Sequence, residues 1–171
     1  MNITRWVNFT WDFGKAELPE LAVPRHYRIE LAAAEDEEKL RAVIAKSLAL
    51  DPSWNSTLHE VSAMVSNSIA RLLANEATLR LVLRHGTRII GATLLVPEGN
   101  APEHLVPGPC VLMEYRNRGL GTLLLEAALR QLRERGLTRA CAIIREGSPA
   151  ARFVYPKFGG NPAAIVPLLA A

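Results

Sequence analysis

The chain of 171 residues contains few aromatic side chains and only two cysteines, Cys110 and Cys141. Both cysteines fall in neighbouring predicted strands, which favours reduced, buried thiols over a disulfide or a nucleophile. Neither cysteine is grouped with histidine at a spacing that ligates a metal ion. The sequence therefore predicts no metal site.

Long apolar runs are also missing, and none approaches the length that crosses a bilayer. The first six residues do not have the pattern of a signal peptide, so we expect a cytoplasmic protein without a membrane partner. Apolar residues make up 49% of the chain, which excludes a disordered protein. We expect an N-terminal strand or hairpin extension over residues 1–24 and one main domain over residues 25–171.

Neither positive nor negative charge is in large excess, and the formal net charge is +3. Acidic residues such as Glu126, Glu134 and Glu146 are interleaved with the arginines of the second half, which disfavours a nucleic-acid partner. An excess of arginine in this half suits an anionic cofactor. The arginines concerned are at positions 116, 118, 130, 133, 135, 139, 145 and 152.

Hydrophobic periodicity predicts a mixed α/β fold of the α+β type, with antiparallel strands leading into a parallel pair. The predicted helices cover residues 35–48, 57–72 and 120–132, and a short helix starts at Ser148. The predicted strands cover residues 2–13, 26–31, 78–84, 88–96, 111–113 and 139–145, with a final strand at 163–169.

The most informative segment is a basic, glycine-spaced turn from Arg116 to Thr122, between an apolar strand and a leucine-rich helix. The first turn of a helix has unpaired N–H groups that bind anions. Gly119 and Gly121 have no Cβ, so a phosphate can approach the main chain, and Arg116 and Arg118 add positive charge. By itself this pattern is equally typical of an ordinary strand-to-helix turn.

A second segment, residues 148–160, changes the interpretation. Together the two segments resemble the signature motifs of the GNAT superfamily of acyl-CoA N-acyltransferases. The first follows the family pattern Arg/Gln-x-x-Gly-x-Gly/Ala in full. In the second, Ala151, Tyr155 and Gly159 match the family pattern, whereas Ser148 stands where asparagine is usual and Gly160 replaces an aromatic residue.

The resemblance implies a GNAT-like fold, a central mixed sheet flanked by helices, in which two parallel strands splay apart to admit the pantetheine arm. Only residues 161–171 follow the second motif, so the C-terminal end is shortened. Either the N-terminal aromatic segment or a second subunit fills the missing strand position. We hypothesise a homodimer in which Trp6 and Trp11 cover the sheet edge, because bare edges promote aggregation.

The resemblance also implies an N-acetyltransferase that moves an acetyl group from acetyl-CoA to a primary amine by direct attack. Backbone amides of the glycine turn would hold the pyrophosphate, and the preceding strand would pair with the pantetheine amides. The cofactor-binding residues implied in this way are Val111, Leu112, Met113, Arg116, Asn117, Arg118, Gly119, Leu120, Gly121, Thr122 and Ser148.

By the same resemblance, Tyr155 is the acid that protonates the departing thiolate. Our candidate for the base is Glu114, with Glu98, Glu103 and His104 as alternatives. Pro156 is expected to bend or end the helix directly after Tyr155.

The identity of the amine is open, and its pocket would be bordered by the two helices of residues 35–75 and the loop of residues 97–109. Two alternatives to an N-acetyltransferase remain open. One is an acyl-CoA-binding adaptor without turnover, and the other is a scaffold with an empty glycine turn.

Overall fold

The computed structural model describes residues 5–49 and 58–165. It confirms the predicted mixed α/β class. Short 3-10 turns precede α1, follow β5 and precede β7. The elements are β1 (Trp6–Asp12), β2 (Tyr27–Leu31), α1 (Glu37–Ala49), α2 (Leu58–Leu73), β3 (Leu79–His85), β4 (Arg88–Leu95), β5 (Cys110–Val111), α3 (Leu120–Glu134), β6 (Arg139–Arg145), α4 (Pro149–Phe153) and β7 (Asn161–Ala164).

The strands form two sheets, one in the order β2-β3-β4-β5 and the other in the order β6-β1-β7. Strands β5 and β6 lie in different sheets and do not pair with each other, which agrees with the predicted splaying. Among the described residues every strand pairing is antiparallel. Every residue of β4 after Arg88 is buried, and both α1 and α3 pack on this strand. Since alternate residues of a strand point to opposite faces, β4 is covered on both sides.

His104, a buried residue, links the two sheets. It lies at the closed end of the gap between β5 and β6, which we call the fork. Its carbonyl accepts a hydrogen bond from the amide of Val96 at 2.9 Å, and its amide donates to the carbonyl of Cys141 at 2.7 Å. On the side chain, Nδ1 accepts from the Cys141 amide at 2.9 Å, and Nε2 donates to the Glu98 carbonyl at 2.9 Å. The imidazole is therefore held in its neutral form.

Strand β1 lies between β6 and β7 and is antiparallel to both. Val7, Phe9 and Trp11 alternate onto the buried face, and the Trp11 indole donates to the carbonyl of Lys157 at 3.0 Å. Of the two alternatives for the missing strand position, the N-terminal segment of the same chain fills it. Trp11 is fully buried in its own chain, and the homodimer itself stays a prediction.

The backbone packed against Gly160 explains why the second motif lacks its usual aromatic residue. A Cβ at Gly160 would collide with the carbonyl oxygen of Tyr155 and would lie 2.8 Å from Trp11 Nε1. The Tyr155 carbonyl, with the Trp11 indole beside it, therefore leaves no room for a side chain at position 160. The helix ends earlier than the predicted position at Pro156: α4 ends at Phe153, and the Tyr155 amide donates to the Ala150 carbonyl at 2.9 Å.

We expect His104 to make the stability of the protein depend on pH. Burial lowers the pKa of His104 from its usual 6.5. The neutral imidazole therefore stabilises the folded protein fully above pH 6.5, and this stabilisation is lost as the pH falls from 6.5 through the lower pKa of the folded state. His104→Asn keeps an acceptor for the Cys141 amide but does not titrate. Urea unfolding at several pH values should show a weaker loss of stability below pH 6.5 in the variant. Equal pH dependence in the two proteins would contradict this role.

Candidate active site

A cleft of about 640 Å³ opens between β5 and β6. The glycine turn and α4 form its mouth, and the loop of residues 103–109 forms its closed end. The C-terminal ends of α1 and α2 contribute a further wall. The structure thus brings the two sequence motifs to opposite sides of one cavity.

The glycine turn begins α3 without a side-chain cap. Gly119 is the N-cap residue and has φ of +76°, a left-handed conformation that favours glycine. Asn117, which has φ of +63°, lines the cleft together with Gly119, Leu120, Gly121 and Thr122. The first-turn amides of a long helix therefore lie at the mouth of the cleft, as an anion site requires.

The two arginines of the turn are held by other groups of the protein. The Arg116 side chain lines the cleft and donates to the carbonyls of Val111 at 3.1 Å and Ser47 at 3.0 Å, so it ties β5 to α1. Arg118 donates to the Tyr27 hydroxyl at 3.4 Å and lies over the Tyr115 ring, 5.4 Å from its centre. Their contact with a cofactor stays a prediction.

Lys157 is a cation of the cleft that the sequence analysis missed. Its Nζ donates to the Thr122 hydroxyl at 3.1 Å, so the second motif places an ammonium group beside the glycine turn. Both residues line the cleft. The signal in the sequence that points to Lys157 is a basic residue two positions after Tyr155. The Ser148 hydroxyl, also on the cleft, accepts from the Ala151 amide at 3.2 Å and caps α4 as predicted.

Tyr155 lies at the closed end of the cleft and is 3% exposed. Its ring packs edge-on against Phe9, with centres 5.4 Å apart, and against Trp11 at 5.6 Å. Its hydroxyl lies against Gly108, where an added Cβ would collide with it. Burial, with smaller effects of Cys110 and Glu103, raises the pKa of Tyr155, so the hydroxyl keeps its proton at neutral pH.

The candidate bases differ in their position relative to the cleft. Glu103 lines it close to Tyr155, burial raises the pKa of its carboxyl, and the carboxylate also accepts a hydrogen bond from the Ile143 amide. Glu114 is exposed and is not among the cleft-lining residues of the described chain. It forms an ion pair with Arg88 at 3.2 Å, and its pKa is lowered by a hydrogen bond with its own backbone and by Arg88.

The two cysteines are free thiols, in line with the prediction of reduced residues. Cys141 is buried, whereas Cys110 is half-buried and lines the cleft. The strand before the glycine turn is shorter than predicted: β5 ends at Val111, the Leu112 amide still donates to the Ile90 carbonyl at 2.9 Å, and a 3-10 turn begins at Met113.

A glycine turn and a tyrosine on opposite sides of a fork between two strands that do not pair with each other form the arrangement that the two sequence motifs imply for an acyl-CoA N-acyltransferase. The acetyltransferase (GNAT) family matches residues 44–159, more than half of the sequence. The chain therefore belongs to the GNAT acetyltransferase family. A search of curated proteins finds no match.

Solved structures show the same fold at low sequence identity. A GCN5-related N-acetyltransferase from Sphaerobacter thermophilus is 16% identical with a TM-score of 0.66, covering 95% of this chain and 50% of its own. A tandem GNAT protein from the clavulanic acid biosynthesis pathway is 17% identical with a TM-score of 0.67, covering 96% and 52%. A GCN5-related N-acetyltransferase from Kribbella flavida is 18% identical with a TM-score of 0.57, covering 95% and 56%.

The chain therefore spans about half the length of these three proteins. Within residues 5–49 and 58–165, no helix is both long and apolar enough to cross a membrane.

Removal of the Lys157 ammonium group should weaken binding of CoA, because a cation beside the anion site is lost. We expect Lys157→Ala to raise the Kd for CoA by about fivefold, with a smaller salt dependence of binding. Arg152→Ala is the matched control, since Arg152 is an exposed cation of α4 that does not line the cleft. Calorimetry with CoA at two salt concentrations measures the Kd and its salt dependence. An equal loss of CoA affinity in the two variants would point to a general effect of charge.

Proposed function

We propose that the chain transfers an acetyl group from acetyl-CoA to a primary amine by direct attack. One observation carries this proposal: a single cleft joins the amides of the glycine turn to a protonated tyrosine hydroxyl and a half-buried carboxylate. An anion site, an acid and a base are the groups that this reaction needs.

The residues at the mouth of the cleft fit the diphosphate and pantetheine of an acyl-CoA. The amides of residues 117–122 would bind the pyrophosphate, with Lys157 and Thr122 beside it. The main chain of Val111, Leu112 and Met113 would pair with the pantetheine amides. Because the Ser148 hydroxyl accepts from the Ala151 amide, its own proton is available to a pantetheine carbonyl.

The chemistry at the closed end uses two groups of this chain. Glu103 takes a proton from the acceptor ammonium, and the free amine attacks the thioester carbon. As the new C–N bond forms and the C–S bond breaks, the electron pair goes to sulfur. Tyr155 then protonates the thiolate, and its proton is restored from the amine nitrogen through Glu103. Glu103 releases the first proton to solvent before it relays the second, so the ammonium nitrogen loses two protons: one ends on the thiol and one in water.

We place the base at Glu103 because Glu103 lines the cleft near Tyr155, whereas Glu114 is exposed and bound to Arg88. The hydrogen bond from the Ile143 amide lowers the pKa of the Glu103 carboxyl and so opposes the effect of burial. Burial raises the pKa of this carboxyl, which makes its ionised form a stronger base than an exposed glutamate. Glu114 is the base that the sequence predicts, and the pH dependence of kcat/KM distinguishes Glu103 from Glu114.

The alternative function, an acyl-CoA-binding adaptor without turnover, uses the same cofactor cleft. Its sequence arguments were Pro156, Ser148 and the shortened C-terminal end. Tyr155 nevertheless lines the cleft although α4 ends at Phe153, and β1 completes the sheet, which favours the enzyme. Release of thiol from acetyl-CoA with a panel of amines distinguishes the two functions.

Loss of the Tyr155 hydroxyl should slow the chemical step while leaving cofactor binding intact. Tyr155→Phe keeps the ring that packs on Phe9 and Trp11, so we expect kcat to fall about a hundredfold with little change in the KM for acetyl-CoA. Tyr115→Phe is the control, because that hydroxyl lies on the cleft but bonds to His85 Nδ1 at 3.0 Å. Equal losses of kcat in both variants would remove Tyr155 as the acid.

The pH dependence of kcat/KM should identify the base. A base acts when ionised, so the rate should rise as the pH climbs through the Glu103 pKa, which lies above the usual 4.5. Glu103→Gln should remove this acidic limb and lower kcat/KM at neutral pH about a hundredfold. Glu114→Gln should keep both the limb and the rate. The reverse pattern would assign the base to Glu114.

A further inference from the structure

The chain that leads into the glycine turn pairs with β4 in two separate places. Leu105 pairs with Leu95, and Cys110 pairs with Ala92. More residues lie between Leu105 and Cys110 than between their two partners on β4, so the surplus cannot stay in the ladder and forms a bulge. Bulges are frequent beside active sites, where they change the direction of the chain. We call residues 107–109 the proline bulge.

Two side chains hold the carbonyl groups of the proline bulge. The Thr93 hydroxyl donates to the Pro107 carbonyl at 2.7 Å, and the Cys110 thiol donates to the Gly108 carbonyl at 3.3 Å. A thiol is a weak hydrogen-bond donor, so the contact of Thr93 is the stronger of the two. The position of the bulge relative to β4 therefore depends mainly on one hydroxyl group.

Thr93 is an unusual residue for its place in the core. It is 0% exposed, and every other buried residue of β4 is apolar or glycine. Burial of a hydroxyl lowers stability unless the hydroxyl finds a hydrogen-bond partner, whereas valine would fill a similar volume without this cost. The carbonyl of Pro107 is the partner that the Thr93 hydroxyl finds. The hydroxyl is therefore explained by the bulge that it holds.

The proline bulge is the surface that the Tyr155 hydroxyl packs against. A Cβ at Gly108 would collide with this hydroxyl, so the main chain of Gly108 lies directly beside it. All three residues of the bulge line the cleft together with Tyr155. The tyrosine ring packs on Phe9 and Trp11, which leaves the polar end of the side chain to the bulge. A shift of the bulge would therefore release the hydroxyl from its place at the closed end of the cleft.

We propose that Thr93 is a positioning residue, whose hydrogen bond to Pro107 fixes Gly108 and thereby places the Tyr155 hydroxyl to protonate the departing thiolate. The inference depends on the proposed function, since it concerns the acid of that reaction. Thr93 is not among the described residues that line the cleft, so it acts only through the bulge. A small displacement of a reacting group lowers the rate strongly, which makes the effect of Thr93 measurable.

Substitutions of Thr93 separate its hydroxyl from its shape. Thr93→Val removes the donor, so kcat for thiol release should fall about tenfold, with little change in the KM for acetyl-CoA because the glycine turn is untouched. Thr93→Ser keeps the donor and should keep the wild-type kcat. Thr78→Val, the same change at a buried threonine that is not among the described cleft residues, should also keep it. An equal fall of kcat in Thr93→Ser and Thr93→Val, or no fall in Thr93→Val, would overturn the proposal.

A double-mutant cycle separates positioning from a general loss of stability. Thr93→Val should lower kcat when Tyr155 is present and have no further effect once Tyr155→Phe has removed the acid, because the two residues act as a unit. A fall of the same size in both backgrounds would show that Thr93 does not act through Tyr155. Thr93→Ala removes the same donor and takes the place of the valine variant if that variant does not fold.

Nuclear magnetic resonance tests the same contact without turnover. The dipeptide Pro-Gly occurs only at residues 107–108, so isotope labels on the proline carbonyl carbon and the glycine nitrogen isolate the Gly108 amide signal. Tyr155→Phe removes the hydroxyl beside Gly108 and should shift this signal clearly, but much less when Thr93→Val is also present. Equal shifts in both backgrounds would overturn the positioning role. Absence of thiol release from the wild type with every amine would remove the proposed function, whereas the Gly108 signal would still decide whether Thr93 fixes the hydroxyl.

Discussion

The cleft depends on the way in which the two sheets are joined at one end and separated at the other. His104 forms that junction with both its backbone and its imidazole, which connect the loop after β4 to Cys141 of β6. Beyond this point β5 and β6 are not paired, and the cleft lies in the space between them. Glu103 and Gly108 lie close to the junction in sequence, so the same loop supplies the proposed base and the surface against which the Tyr155 hydroxyl packs.

Both walls of the cleft are also held by contacts that use no ligand. Arg116 fixes β5 to α1, and the packing of Phe9 and Trp11 holds the Tyr155 ring. Arg116, which the glycine-turn motif would place at the phosphate, thus donates its hydrogen bonds to carbonyl groups of the protein itself. Such a framework places the reacting groups before a substrate binds, which is the main contribution that a protein makes to a reaction by direct attack.

Local patterns in the sequence were sufficient for the elements and for the two motifs. The amphipathic repeat of α3, the cap at Ser148 and the glycine turn are each specified by residues close together in the chain, and all are found as predicted. The acceptor side was not accessible in this way. Glu103 reaches the cleft only through the irregular loop after β4, and no neighbouring pattern marks it. The need for glycine at position 160 likewise depends on the fold, which brings the Tyr155 carbonyl and the Trp11 indole against it.

The placement of β1 has a consequence for how the molecule reaches its folded state. Val7 of β1 lies opposite Ala164 of β7, so the sheet that carries α4 and Tyr155 contains the most widely separated strand pairing among the described residues. Closing a loop of that length is entropically costly, and such pairings are slow to form. The pairings of the other sheet span fewer residues, so we expect that sheet to form earlier. The wall of the cleft that carries Tyr155 is therefore expected to form after the wall that carries the glycine turn.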